Sequence, residues 1–223
     1  HSTVITKRPI KVWTDIVTFA ENFHSDKFEV VATPEEADIQ WWGLKDINVG
    51  ERVTETKNVY YNQIQGESNI TCKDLLYETC HEYMGNVPWL PETFILSEGE
   101  NVAKFLETHY RLKKSNQSPA WVVKAFNRSR AELMIATESP AEVMRHSSIE
   151  PRLTQRYLWN PLLVYGLKFD LRYIVLLKSV KPMELYMYKV FWPRLAPKRW
   201  ALDDFDDYQR HFTVMNYRAP DKV

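Results

Sequence analysis

The sequence predicts an α/β layer followed by an α+β region, with mixed sheets and flanking helices. Three observations carry this. Short apolar runs alternate with helix starts in the N-terminal part. Later runs follow one another with few helical signals between them, through 153–158, 168–178 and 184–195, as strands of an α+β layer do. The composition is globular: of 223 residues, 44% are hydrophobic, 13% aromatic and 26% charged, which excludes a disordered chain. No apolar run reaches bilayer-spanning length, so a membrane is not an expected partner.

In chain order, Pro9–Trp13 reads as a first strand, Ile16–Phe23 as helical and Phe28–Ala32 as a second strand. Thr33-Pro34-Glu35-Glu36 opens a single helical turn, with Thr33 as N-cap and proline at the first position. Asp38–Trp42 is a third strand and Val59–Tyr61 a further short one. Thr71 is placed to cap a helix beginning near Lys73 and running toward Met84. Gly85–Pro91 resets the chain, so residues 1–87 form an N-terminal α/β subdomain. Glu100–Tyr110 is helical, Lys113–Pro119 a polar loop, and Ala120–Lys124 a strand ending on a lysine. Pro140–His146 starts another helix. Leu153–Leu158 is a strand, and Lys168–Lys178 and Glu184–Leu195 form an antiparallel pair.

Cys72 and Cys80 stand eight apart in a helical stretch, a spacing that suits neither a metal clip nor a disulfide framework. Two reduced thiols imply a cytosolic chain, and no metal site is expected from its own residues. His109, His146 and His211 lack ligand spacing. His81 beside Cys80 points about 100° away on a helix, so the two form no nucleophilic pair. The eight tryptophans read as core. Asp203, Asp204, Asp206 and Asp207 read as the solvated acidic start of a helix.

Residues 168–177 hold the candidate chemistry. Alternation along a strand sends Phe169, Leu171, Tyr173 and Val175 one way. Lys168, Asp170 and Arg172 point the other way, roughly 6–7 Å apart, with Ile174 and Leu176 continuing that face into apolar surroundings. Net charge is zero, from 29 basic and 29 acidic side chains. Yet between Pro151 and Trp200 ten basic residues face only Asp170 and Glu184. A surplus of that sign on strands fits a pocket for phosphates or an acidic peptide. No recognised nucleic-acid motif accompanies it, so nucleic acid is not an expected partner. Lys124, at a strand end, is placed to reach nucleotide phosphates, and backbone groups of the strand after Gln155 to read an adenine edge.

Trp121-Val-Val-Lys124, Gln155-Arg-Tyr-Leu-Trp-Asn-Pro-Leu-Leu163 and Lys168-Phe-Asp-Leu-Arg172 resemble the tubulin–tyrosine ligase family in order and spacing. Tyr186-Met-Tyr188, Arg194, Leu202-Asp-Asp204 and His211-Phe-Thr213 continue the likeness. Upstream, so do Asn62-Gln63 and Lys73-Asp-Leu-Leu76. Lys11–Ile16, Glu36–Ile39, Trp89-Leu-Pro91, Val190-Phe-Trp192, Asp206-Asp-Tyr208 and His211–Tyr217 point to one branch of the family.

The resemblance implies an ATP-grasp fold, with a central subdomain over 88–150 and the start of a C-terminal subdomain over 151–223. It implies ATP and magnesium as cofactors, with the magnesium ligands beyond Val223 and the fold C-terminally incomplete. The family activates a carboxylate as an acyl phosphate that an amine attacks. By position, Lys73 and Lys124 would contact the nucleotide, and Gln155 and Leu158 would line the adenine pocket. Lys168, Asp170, Arg172 and Arg194 would surround the γ-phosphate and the acceptor. The acidic tubulin C-terminal tail is the implied partner, in the cytoplasm, at microtubules or in the nucleus.

Two departures matter. The stretch after Lys124, Ala125-Phe-Asn-Arg-Ser-Arg-Ala131, has no glycine where the family covers phosphates with a Gly-rich loop. The family's Thr-Asn pair is Thr213-Val214. These predict a domain that binds ATP or tubulin tails and modulates tubulin modification, its ligase chemistry weak or lost. Retention of Lys124, Lys168, Asp170 and Arg172 supports the alternative, an active carboxylate–amine ligase.

Overall fold

The computed structural model describes residues 8–43, 59–97, 99–126 and 134–214. The chain divides into two compact units, His1–Asn69 and Ile70–Val223. Helix Lys73–Met84, read above with the N-terminal subdomain, clusters with the second unit.

In the first unit, β1 (Ile10–Thr14), β2 (Phe28–Val30), β3 (Ile39–Trp41) and β4 (Tyr60–Tyr61) form a parallel sheet of order β2-β1-β3-β4. Helix α1 (Val17–Asn22) and a 3-10 turn (Pro34–Glu36) make the first connections. Val12 is buried on the central strand. Gln40 is buried too, and its amide is satisfied: Nε2 donates to the Pro34 carbonyl at 2.8 Å and Oε1 accepts from Trp42 Nε1 at 3.3 Å. Thr33 does not cap through its side chain. The turn is so short that its end closes on itself, Ala37 N–H donating to the Pro34 carbonyl at 3.2 Å.

Thr71 is likewise not the cap of the next helix. The chain is already helical over α2 (Ser68–Thr71), so the extended cap residue falls at Cys72, before α3 (Lys73–Met84). The central layer of the second unit is an antiparallel sheet of order β5-β8-β6-β7, built from Thr93–Ile95, Arg152–Arg156, Trp121–Ala125 and Ile135–Thr137. Helices α4 (Gly99–Lys114) and α5 (Pro140–Ser147) pack on one face of this sheet. The α4 helix runs past the predicted end at Tyr110 into the expected loop. Pro140 opens α5 as expected, and Ser139 caps it by accepting from the Glu142 amide at 3.3 Å.

Strand alternation gives this sheet two cores. Trp121 and Val123 pack on one side with Phe94, Phe105, Leu112 and Val143. Ala120, Val122 and Ala136 pack on the other with Tyr157 and Phe212, backed by Leu202 and Phe205. Register pairs Val122 with Gln155, Gln155 with Thr93, and Lys124 with Leu153. Lys124, Gln155 and Thr93 therefore share the second face.

The predicted antiparallel pair forms, but each long strand is broken in two. β10 (Leu167–Arg172) pairs with β13 (Trp192–Arg199) and with β9 (Leu163–Val164), whereas β11 (Val175–Val180) and β12 (Met183–Met187) make a separate two-stranded ribbon. One bond, Tyr188 N–H to the Ile174 carbonyl at 2.9 Å, carries pairing across the break. Ile174 and Leu176 do not enter apolar surroundings: they are 52% and 58% exposed. The reason is that the ribbon is open on both faces, Val175 and Tyr186 being exposed as well. Among the described residues, parallel and antiparallel pairings thus occupy separate sheets and are not mixed within one.

The acidic stretch after Leu202 is a turn, and α6 begins only at Tyr208 and ends at His211. Asp204 Oδ1 accepts from the amides of Asp206 and Asp207 at 3.2 and 3.3 Å. Asp207 accepts from Lys198 Nζ at 3.0 Å and Arg210 Nε at 2.9 Å. These carboxylates shape the turn instead of merely facing solvent. Cys72 and Cys80 are both free thiols. Among the described residues no helix is long and apolar enough to cross a membrane.

Candidate functional site

The second face of the central sheet carries a run of polar groups in an otherwise apolar layer. Thr93 Oγ1 donates to the Pro91 carbonyl at 2.7 Å and accepts from Gln155 Nε2 at 3.0 Å. That fixes the Gln155 amide with its oxygen toward β6, where Oε1 accepts from Lys124 Nζ at 2.6 Å. Burial, and then the charge of Lys73, push the Lys124 ammonium down to about 8. Lys73 arrives from the first turn of α3. Its Nζ donates to the carbonyls of Ala125 and Phe126 at 3.0 and 3.1 Å, and burial lowers its pKa. It ties α3 to the end of β6.

Lys168 comes from β10, where the ladder register slips between Leu167 and Phe169. Such a slip re-aims the residue it contains. Lys168 Nζ lies 4.4 Å from the centroid of the Tyr157 ring and donates to Tyr157 Oη at 3.2 Å. Burial, and then the charge of Lys124, bring it down to about 8. Lys73, Lys124 and Lys168 thus form one electrostatically linked series. Lys124 and Lys168 donate to neutral oxygens, and among the described residues neither forms an ion pair.

Asp170 and Arg194 sit opposite each other across β10 and β13, joined by Arg194 Nε donating to Oδ1 at 2.6 Å. Thr213 Oγ1 donates to the other carboxylate oxygen. Arg172, at the end of β10, is exposed. Leu158 is also exposed. It lines a groove of about 460 Å³ with Val87, Pro91, Arg156, Tyr157 and Trp159. The glycine-free stretch from Asn127 onward, and Met215–Tyr217, lie outside the described residues.

Sequence reasoning missed Tyr157, His211 and Thr93. Tyr157 stands two residues after Gln155, on the same side of the chain, and alternation alone flags it. Neither metal-ligand spacing nor a motif match shows the buried hydrogen bond of His211: Tyr157 Oη meets His211 Nδ1 at 2.8 Å. Among the described residues no group of three or more His, Cys, Asp or Glu side chains could hold a metal.

This arrangement suits a polyanion. Two partly desolvated ammoniums held near each other by neutral acceptors are destabilised by burial and by mutual repulsion, and anionic oxygens between them relieve both. A triphosphate has the charge and the several acceptor oxygens such donors need. The side chains present therefore fit the polyphosphate part of ATP.

The family model described as tubulin–tyrosine ligase family matches residues 51–222. The chain is 34% identical over 220 residues to tubulin–tyrosine ligase-like protein 12 of Homo sapiens, covering 96% of this chain and 34% of that protein. It is 31% identical over 227 residues to the protein of the same name in Caenorhabditis elegans, covering 99% and 34%. With tubulin polyglutamylase TTLL5 of Mus musculus it shares 28% identity over 210 residues, covering 91% and 14%. The chain spans about a third of the length of the first two relatives. A match over most of the chain, on the strands that carry the lysines, decides the matter: the chain belongs to the tubulin–tyrosine ligase family.

Proposed function

We propose that the second unit binds ATP with its phosphates at Lys124 and Lys168, engages the acidic tail of tubulin, and modulates tubulin modification with weak or lost ligase chemistry. The observation that carries this reading is the pair of desolvated ammoniums, each pushed down to about 8 and each bonded to a neutral oxygen. When bound, ATP would supply a transferable phosphoryl group. The chain's own residues would hold it: Lys124 and Lys168 as donors to phosphate oxygens, Gln155 orienting Lys124, and Lys73 fixing the end of β6. The basic surplus over 151–200 suits an acidic tail.

Weak chemistry is read from three features. Asp170 and Arg194 neutralise each other and Thr213 occupies the second carboxylate oxygen, while Arg172 is exposed. Val214 also replaces the amide side chain of the family pattern. A second reading, an active ligase adding an amino acid to tubulin, is favoured by the retained lysines and by the polyglutamylase named among the relatives.

Calorimetry with ATP and magnesium, on the chain and on Lys124→Ala, tests the binding. The reading expects affinity that the substitution lowers, and absence of binding at millimolar nucleotide to the unsubstituted chain would overturn both versions. Incorporation of labelled glutamate or tyrosine into tubulin, lost in Arg172→Ala, would replace the modulator with the ligase.

A further inference from the structure

Resting on the nucleotide reading above, we propose that Tyr157 and His211 are positioning residues that set where the Lys168 ammonium points, fixing it as the second cation of the polyphosphate site. Tyr157 Oη has one hydrogen and two lone pairs. Lys168 Nζ at 3.2 Å and Trp200 Nε1 at 3.3 Å can only donate, so they fill both lone pairs. The hydroxyl hydrogen is left for His211 Nδ1 at 2.8 Å, which must therefore be bare. The ring proton then sits on Nε2 and is donated to the Asp204 carbonyl at 2.6 Å. One protonation pattern satisfies every member.

The couple is 2% and 1% exposed, and Phe205 closes over both rings, at 5.7 Å from Tyr157 and 5.2 Å from His211. Two apolar rings would fill that volume without needing partners. What the polar version adds is a two-point grip on a flexible side chain, the hydroxyl holding the ammonium and the ring face lying beneath it. Facing His211 are Tyr157 just past the end of β8, Lys168 from β10, and Asp204 and Asp207 from the turn before α6. Lys168 is the member of the chain coupled onward to Lys124.

The test reads Lys168 itself. The full chain is labelled with acetic anhydride across a pH series, and each lysine is quantified by mass spectrometry. Tyr157→Phe keeps the ring and removes the acceptor. The expected result is faster Lys168 labelling at neutral pH, its midpoint moving down by about half a pH unit or more, with the exposed Lys181 unchanged. His211→Leu should reproduce that shift. His211→Gln, whose amide can accept from Tyr157 and donate to Asp204, should restore the original midpoint. A purely structural role would move melting temperatures and leave the midpoints alone.

An unchanged Lys168 midpoint in folded Tyr157→Phe overturns the proposal. If that variant does not fold, the His211 pair decides by the same criterion. Protection of Lys168 by ATP in the unsubstituted chain is a separate arm. Its absence would remove the nucleotide reading while a shifted midpoint still upheld the positioning.

Discussion

Strands β6 and β11 are both rich in valine and leucine or tryptophan, and each carries one lysine, yet they end in opposite surroundings. On β6, residues Trp121, Val122 and Val123 are buried on both faces, and Lys124 inherits that burial: its partner is a neutral amide oxygen and its pKa falls to about 8. On β11, Val175 and Leu176 are exposed, and Lys178 pairs with Glu184 at 2.5 Å in solvent. Apolar content marks both stretches as strands. Whether a lysine in them becomes a poised cation depends on what covers the neighbours, and that is decided by distant residues such as Tyr157 and Phe212.

The most damaging way to probe this contrast is Trp121→Ala. Its ring touches Phe94 and Phe105 edge-on at 5.8 and 5.1 Å, and its Nε1 donates to buried His109 Nδ1 at 3.1 Å. Removing it should lower the unfolding free energy by about 3–5 kcal/mol in denaturant titration. A loss under about 1 kcal/mol would mean that the two-faced core is not what holds the sheet.

Next in size is Lys124→Ala against Lys178→Ala. A charge-assisted contact to phosphate contributes about 1.5–3 kcal/mol, so ATP affinity should fall about 10- to 100-fold in the first variant. Lys178→Ala should bind ATP as the unsubstituted chain does. Equal losses in both would erase the distinction between the two strands. Unfolding provides a second readout, since removing a desolvated ammonium should leave stability unchanged or raised.

The pH dependence follows with two opposite signs. Lys124 and Lys168 have folded-state values of about 8, below the usual 10.5 of an unfolded lysine. Between those values the unfolded chain holds more protons, so this pair's contribution to stability should rise as pH increases from about 8 to 10.5. Over the same window ATP affinity should decline, by up to about tenfold per pH unit for each ammonium lost. Calorimetry and thermal unfolding at pH 7, 8 and 9 read both. Affinity that is flat from pH 7 to 9 would remove the lysines from the site.

Much of this was legible in the chain. The alternation of short strands and helices marks the first sheet, Pro140 marks the start of α5, and strand alternation puts Lys124 and Gln155 on one face of the central sheet. What failed did so for physical reasons. The charged face of 168–172 was read as one environment, but cover ends partway along it: Lys168 and Asp170 are half-buried and Arg172 is exposed. A register slip in the ladder next to Lys168 leaves no mark in periodicity. Neither metal-ligand spacing nor a motif match reveals the partner of His211, because the hydroxyl it meets belongs to a tyrosine 54 residues away.

The smallest effect belongs to the ribbon. Leu185 faces Leu177 across β11 and β12, and it is 58% exposed, so its methyl groups already meet water in the folded state. Leu185→Ser removes one cross-strand apolar contact, and such contacts contribute about 0.2–1 kcal/mol. Denaturant titration should therefore show a loss of about half a kcal/mol, several times less than Trp121→Ala. The same substitution also sharpens the contrast from the other side. If Leu185→Ser destabilises the chain by about 2 kcal/mol or more, Leu185 is buried in the working molecule. The ribbon would then be a covered strand pair like β6 and β8, and Lys178 would deserve the reading now given to Lys124.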